Sequence, residues 1–464
     1  MAETALLAAE TRRRVEAFVD DWLTENDVPG AGVAIVDGDD VAYLDGFGAR
    51  DLEANEPATS DTLYGVASIT KSVVATCVLQ LVDAGDVALD DPVTAHVDGY
   101  FEGLADPPTV HDLLTHTSGM PSDGASVALA ARMLGEGSET APLSSDGDHR
   151  RHVEQSLGER AGGGGEDGER FFYYNTGYTV LGELVEAVDG RALPAYVDDE
   201  VLAPLGMDRS VLAADPTEHE DGMTPYLMDE DGPERSTFPV KGIGAAGGLL
   251  STARDLAAYL RFAMHGDEAV VPEGLLERAQ RGHVGRGEQV DGTEKRYGYG
   301  WMRRSFLGGD DLVGHSGTLS VTSAYLGFLA ERELGVAVAA NTAPEVHPMH
   351  VGPALLAIVE GEDPAGAVAF HGLRAKARRV AGSYESYRGV ASAEVEPAGG
   401  GVEVSIDTAL GGETVTARPV STDPDDLAFE AVSAAGDRVP VEFEPTADGL
   451  DLFVRRWRLH ADSV

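Results

Sequence analysis

The stretch "TLYGVASITKSVVATCVLQLVDAG", residues 62–85, reads as an apolar helix with a lysine, Lys71, near its start, three residues after Ser68. The chain has 34 basic residues, and only four are Lys: Lys71, Lys241, Lys295 and Lys376. A sequence that has almost eliminated lysine keeps one inside an apolar helix, one turn from a serine. Residues i and i+3 share a helix face, so this spacing holds an amine against a hydroxyl. A serine hydroxyl is a weak nucleophile and needs a base beside it. An amine screened from water gives up its proton more readily and can be that base. The start of the helix also offers backbone N–H groups to a developing oxyanion. The pair alone is a weak signal. With 24 Ser and four Lys in 464 residues, chance supplies about 0.2 such pairs, and a lysine snorkelling from a helix end is the plainer reading.

Working outward, the N-terminal residues give an amphipathic helix with Leu6, Val15, Val19 and Leu23 on one face. "AGVAIVDGDDVAYLDGFGARD" is two apolar runs around a turn, a hairpin signal. Helical pattern fills much of the middle. "AGGGGEDGER", just before Phe171, reads as a flexible loop. Strand pattern dominates from Tyr297 to Asn341, with a second hairpin around "AEREL", and "VGPALLAIVEG" is again helical. This order predicts an α+β fold: an antiparallel sheet built from both ends of a domain, flanked by helices, with a helical region inserted. The domain is expected over residues 1–360. Residues 361–372 read as a linker, and residues 373–464, short apolar runs between Gly, Asp and Pro turns, as a small all-β barrel-like domain.

Two further elements give Ser68 and Lys71 company. "FFYYNTGYTVLG" contains Tyr173-Tyr174-Asn175, and "DLVGHSGTLSVTSAYLG" contains His315-Ser316-Gly317 at the start of a strand. Ser-x-x-Lys, Tyr-x-Asn and Lys/His-x-Gly in this order resemble the serine β-lactamase and penicillin-binding-protein superfamily. The similarity is to its class C β-lactamase, D-aminopeptidase and esterase branch. "LLTHTSGMP", "PLGM" and "AAGGLLSTARDLAAYL" support it, over about residues 5–360.

The resemblance implies roles. Ser68 is the acylated nucleophile, and Lys71 shares or removes its proton. Tyr173 is the second base and delivers a proton to the leaving group, for which its hydroxyl needs cationic neighbours. Asn175 contacts Lys71 and the substrate amide. His315 takes the position of the family's anion-binding lysine, next to Gly317. The backbone N–H groups of Ser68 and Thr318 form the oxyanion hole. The family pattern selects Tyr173 over Tyr174; a reversal of the two stays open on the residues alone.

Composition bounds the rest. With 80 acidic residues against 34 basic, the formal charge is −46, which excludes a general electrostatic attraction to nucleic acid. Apolar residues make up 43% of the chain, too many for disorder. Scarce Lys and abundant Asp and Glu read as a folded protein of an extreme halophile, where salt screens this repulsion. The single cysteine, Cys77, excludes an internal disulfide and reads as a core residue. No run approaches 18 apolar residues and no signal segment is visible, so the chain reads as cytoplasmic, with no membrane contact.

"GIGAAG", residues 242–247, lacks the βαβ context of a dinucleotide site. His149/His152 and His347/His350 read as exposed structural histidines, with no metal expected. His111 and His116 read as packing and hydrogen-bonding residues. The expected activity is that of a serine hydrolase without cofactors, acting through an acyl-enzyme on amide or ester bonds of a small molecule or peptide. Peptidase or aminopeptidase stands first, β-lactamase second and carboxylesterase third. A non-catalytic penicillin-recognising or scaffold protein is the alternative of another class. A homo-oligomer is left open.

Overall fold

The N-terminal hairpin forms as β1 (Gly30–Asp37) and β2 (Asp40–Asp51), turning through Gly38 at φ 57°. It is described in a computed structural model covering residues 7–120, 146–160, 170–240 and 243–462. The Gly-rich run expected as a loop lies almost wholly outside these residues. Six later strands complete the sheet with β3 (Glu56–Pro57): β4 (Val284–Glu288), β5 (Glu294–Tyr297), β6 (Met302–Phe306), β7 (Asp310–Leu319), β8 (Thr322–Leu329) and β9 (Leu334–Ala340). Their order across the sheet is β3-β2-β1-β9-β8-β7-β6-β5-β4. β1 runs antiparallel to β9, from Ala31↔Ala340 to Asp37↔Leu334, so the two ends of the domain do meet in one sheet. β8 and β9 are buried at every position, which is why they read as continuous apolar runs rather than alternations. The strand pattern was expected to begin at Tyr297. The structure adds β4 and β5: "VGRGE" is exposed after its first residue, "EKRY" buries only Tyr297, and neither carries an apolar alternation to detect.

Helix α1 (Ala9–Glu25) buries Val15, Val19, Trp22 and Leu23. α2 (Thr70–Ala84) is the central helix. It is apolar nearly all round and correspondingly enclosed, with Val74, Cys77 and Val78 at 0% exposure. Each such buried Val contributes about 1.5–3 kcal/mol relative to an exposed one. α2 ends at Gly85, whose φ of 80° is the usual left-handed stop. The segment Ala67–Ala84 is long and apolar enough to cross a membrane, but 72% of it is buried inside this fold. α3 (Val110–Thr115) opens with a capping box between Thr109 and Asp112. α4 (Asn175–Asp189) packs on α2, α5 (Ala253–His265) lies on β1 and β9, and α6 (Pro348–Val359) follows the last sheet strand.

The chain divides into two compact units, 1–287 with 294–356, and 357–464 with 288–293. The second unit holds a closed eight-stranded barrel, β10 (Gly382–Glu385) to β17 (Trp457–Asp462). Its interior comes from strict alternation; Val402, Val404 and Ile406 point in from one strand. Two expectations are corrected here. Residues 361–372, read as a linker, are largely helical: Pro364–Ala367 forms one short helix and α7 (Ala369–Val380) starts within the same stretch. Nor is the unit all-β from residue 373, because Ala377 and Val380 of α7 belong to the barrel's core cluster. Lys376, another of the four lysines, is buried there and donates to the Ser421 carbonyl at 3.0 Å.

Candidate active site

Ser68 stands in a single 3₁₀ turn, Ala67–Ile69, that leads into α2. The turn is reached from the short strand Tyr64–Gly65, which pairs with Leu249–Ser251. Ala67 has φ 45°, a left-handed conformation that costs a non-glycine residue energy and is held here only because its surroundings fix it. The strained residue immediately precedes the serine.

Lys71 is at 0% exposure. Its Nζ lies 2.9 Å from Ser68 Oγ and donates to Asn175 Oδ1 and the Ala246 carbonyl, each at 2.6 Å. Two carbonyl oxygens can only accept, so two N–H bonds are committed to them. A neutral amine would keep both and turn its lone pair to the serine, and an ammonium would donate a third N–H to it. Either protonation state therefore fits the same geometry, which is what a proton acceptor for Ser68 requires.

Asn175 is the first residue of α4, so helix geometry places it beside Lys71 across 104 residues of sequence. Lys71 Nζ also lies 4.9 Å from the ring centre of Tyr173. Tyr173 is partly exposed, whereas Tyr174 is buried and its backbone N–H bonds His116 Nδ1 at 3.1 Å. The buried Tyr178 ring lies 5.6 Å from the same Nζ, so of the tyrosines beside the lysine it is Tyr173 that is partly exposed.

His315 is buried, at 1% exposure. Its Nδ1 lies 2.6 Å from the Ser316 carbonyl, which only accepts, so Nδ1 carries the proton and Nε2 takes the Tyr297 hydroxyl at 3.0 Å. The same logic continues backward. His116 Nδ1 accepts from Tyr174, so His116 Nε2–H donates to the Tyr297 oxygen at 3.2 Å. One ordered chain runs from the Tyr174 backbone through His116 and Tyr297 to His315. Burial, with Lys71 second, pushes His315 down to about 3 and His116 well below the ordinary histidine value. Exclusion of water thus keeps the His315 ring neutral.

Gly317 brings β7 against the serine turn. A Cβ there would strike the Val66 carbonyl oxygen and lie 2.8 Å from the Ser68 nitrogen, so only glycine allows this approach. The neighbouring Thr318 is exposed. Pairing of β7 with β6 ends at Met302↔Gly314, short of residues 315–319. Ser68, Lys71, Tyr173, Asn175, His315 and Gly317 are thereby gathered at one end of α2.

This arrangement has counterparts. A beta-lactamase family model matches residues 11–360. The chain belongs to the beta-lactamase family. A model described as the Pab87 octamerisation domain matches residues 364–460, across the barrel unit of this family member. Esterase EstB of Burkholderia gladioli is 30% identical over 375 residues, 74% of this chain and 93% of that protein. The octameric penicillin-binding protein homologue from Pyrococcus abyssi is 34% identical, with a TM-score of 0.87 over 97% of this chain and 99% of that one. D-amino acid amidase from Ochrobactrum anthropi SV3, at 23% identity and TM-score 0.57 over 71% of this chain and 91% of that one, shares the fold.

The sequence reading missed the Ala246 carbonyl and Tyr297. A backbone acceptor leaves no mark in residue types. Tyr297 lies in "YGYGW", whose glycine-punctuated aromatics were the available signal. The histidine pair His347/His350 was expected to be exposed; His347 is instead half-buried and hydrogen-bonded to Gly317. Among the described residues, no group of three or more His, Cys, Asp and Glu side chains has a metal-holding arrangement.

Proposed function

We propose that this protein is a serine hydrolase that works through a covalent acyl-enzyme at Ser68, with amide substrates of the peptidase or aminopeptidase type first. The observation that carries the reading is the 2.9 Å approach of Lys71 Nζ to Ser68 Oγ, with two carbonyls holding the amine in place. In the first half-reaction the Ser68 proton passes to Lys71 as Oγ bonds the substrate carbonyl carbon. The carbon–nitrogen or carbon–oxygen bond then breaks as Tyr173 delivers its proton to the departing amine or alcohol and takes the one held on Lys71 in its place. Water attacks the resulting ester in the second half, releasing the acid and returning the proton to Ser68. The N–H groups of Ser68 and Thr318 serve as the oxyanion hole, and Asn175 orients both Lys71 and the substrate amide.

The neutral, enclosed His315 supports substrates without a free carboxylate at that end. The stretch 315–319, beyond its pairing with β6, suits an extended peptide adding alongside it. The similarity to an esterase supports ester cleavage as the second reading. The barrel unit's match, and the octameric homologue, support assembly of this chain into a homo-oligomer.

The test is labelling by a fluorophosphonate, followed by turnover of aminoacyl amides of both hands, short-chain esters and a chromogenic cephalosporin. Ser68→Ala should abolish the label and lower turnover by several powers of ten. Lys71→Arg should do nearly as much, because a guanidinium does not release its proton. A label that persisted at a serine in Ser68→Ala would overturn the assignment.

A further inference from the structure

His347 stands immediately before α6, and its ring faces two ways. The Met349 N–H bonds Nδ1 at 3.0 Å. A neutral imidazole that accepts at Nδ1 carries its proton on Nε2, and Nε2 lies 3.1 Å from the Gly317 carbonyl oxygen. Its proton is therefore donated to Gly317. The Gly317 carbonyl and the Thr318 N–H belong to one planar peptide unit and point in opposite directions. Pairing with β8 sets the register here, Gly317↔Ala324 and Thr318↔Ser323, and Gly317 adds no side chain to fix the tilt of that plane, because the approach to Ser68 forbids one.

We propose that His347 is a positioning residue for the oxyanion hole, holding and polarising the 317–318 peptide so that the Thr318 N–H is aimed at the charge that develops on the substrate. The inference rests on the serine-hydrolase reading above and adds a residue to its site. A hydrogen bond accepted by the carbonyl strengthens the N–H of the same peptide as a donor. An interaction that grows with negative charge on the substrate oxygen acts on the transition state and leaves ground-state binding nearly untouched.

The plain role of His347 is to cap α6 through Met349, and two variants separate it from the proposed one. His347→Asn keeps a good helix cap but is too short to reach Gly317. His347→Gln places an amide N–H about where Nε2 stands. For His347→Asn, kcat should fall about ten- to a hundredfold, less than the loss of a whole oxyanion donor, with KM within about twofold. Affinity for a boronic acid, whose adduct puts an oxygen in the oxyanion hole, should weaken by the same factor as kcat/KM. The melting temperature should stay close to wild type, and His347→Gln should recover most of the rate. Wild-type kcat and boronate affinity in His347→Asn would overturn the proposal, as would a loss confined to KM and stability. Fluorophosphonate labelling of Ser68 in the unmodified protein separates the two failures. Labelling with an unaffected His347→Asn rejects the positioning role alone, and no labelling at Ser68 rejects the serine-hydrolase reading together with it.

Discussion

The Tyr297 hydroxyl donates to Nε2 of His315 at 3.0 Å, while the other ring nitrogen is committed to the Ser316 carbonyl. Both nitrogens of the imidazole are thus occupied by the protein. In the position where the resemblance implies an anion-binding lysine, this chain carries a neutral side chain locked into the strand. The site holds Ser68 and Lys71 together but carries no cation at position 315.

Restoring that cation should change selectivity. His315→Lys should shift preference toward carboxylate-bearing substrates by roughly 1–2 kcal/mol, or about 5–30-fold, the order of a charge-assisted hydrogen bond. The measurement is kcat/KM on matched amide and free-acid substrates, mutant against wild type. An unchanged ratio would show that residue 315 does not govern the substrate's anion position.

Buried neutral histidines also set a pH dependence of stability. His116, His315 and His347 are all held below the ordinary histidine value, His315 at about 3 and His347 at about 4, each mainly by burial. Below about pH 6.5 the unfolded chain takes up these protons and the folded chain does not. The unfolded state then binds more protons, so stability falls as pH drops from about 6.5 toward about 4, by about 1.4 kcal/mol per pH unit for each of these histidines. Urea unfolding at pH 7, 6 and 5 should show the decline, and His347→Asn should lessen its slope by one histidine's share. Stability that stays flat from pH 7 to 5 would contradict it.

Salt should stabilise the fold. The chain has 46 more acidic than basic residues, so most carboxylates have no cation to pair with. Even the three-carboxylate cluster around Arg191, formed by Asp189, Asp199 and Glu200, outnumbers its guanidinium. At about 1 M salt the screening length is about 3 Å and this repulsion fades. The melting temperature should rise steeply between low salt and about 1–2 M KCl. A value independent of KCl would remove the halophilic reading.

The barrel unit should be separable from the chemistry. A chain ending at Gly361, after α6, should still label at Ser68 and should lose higher assembly, seen as a fall in mass by light scattering. Unfolding of the shortened chain would mean that the two units share one stabilising core.

Much of this was legible in the sequence because it was local. The helix spacing of Ser68 and Lys71, the turn at Gly38 and the period-two runs of the barrel are set by neighbours in the chain, where residue type and geometry are tightly coupled. The ordered motifs supplied Tyr173, Asn175, His315 and Gly317 through resemblance. What only the tertiary structure decided depends on contacts between distant segments. The Ala246 carbonyl reaches Lys71 across 175 residues, and Tyr297 links His116 to His315. His347, two strands later in the chain, meets the Gly317 carbonyl at 3.1 Å. Backbone acceptors carry no residue signature, and the tautomer of a histidine follows from which partners the fold brings to its two nitrogens. The sequence by itself paired Ser68 with Lys71; folding determined which groups hold them still.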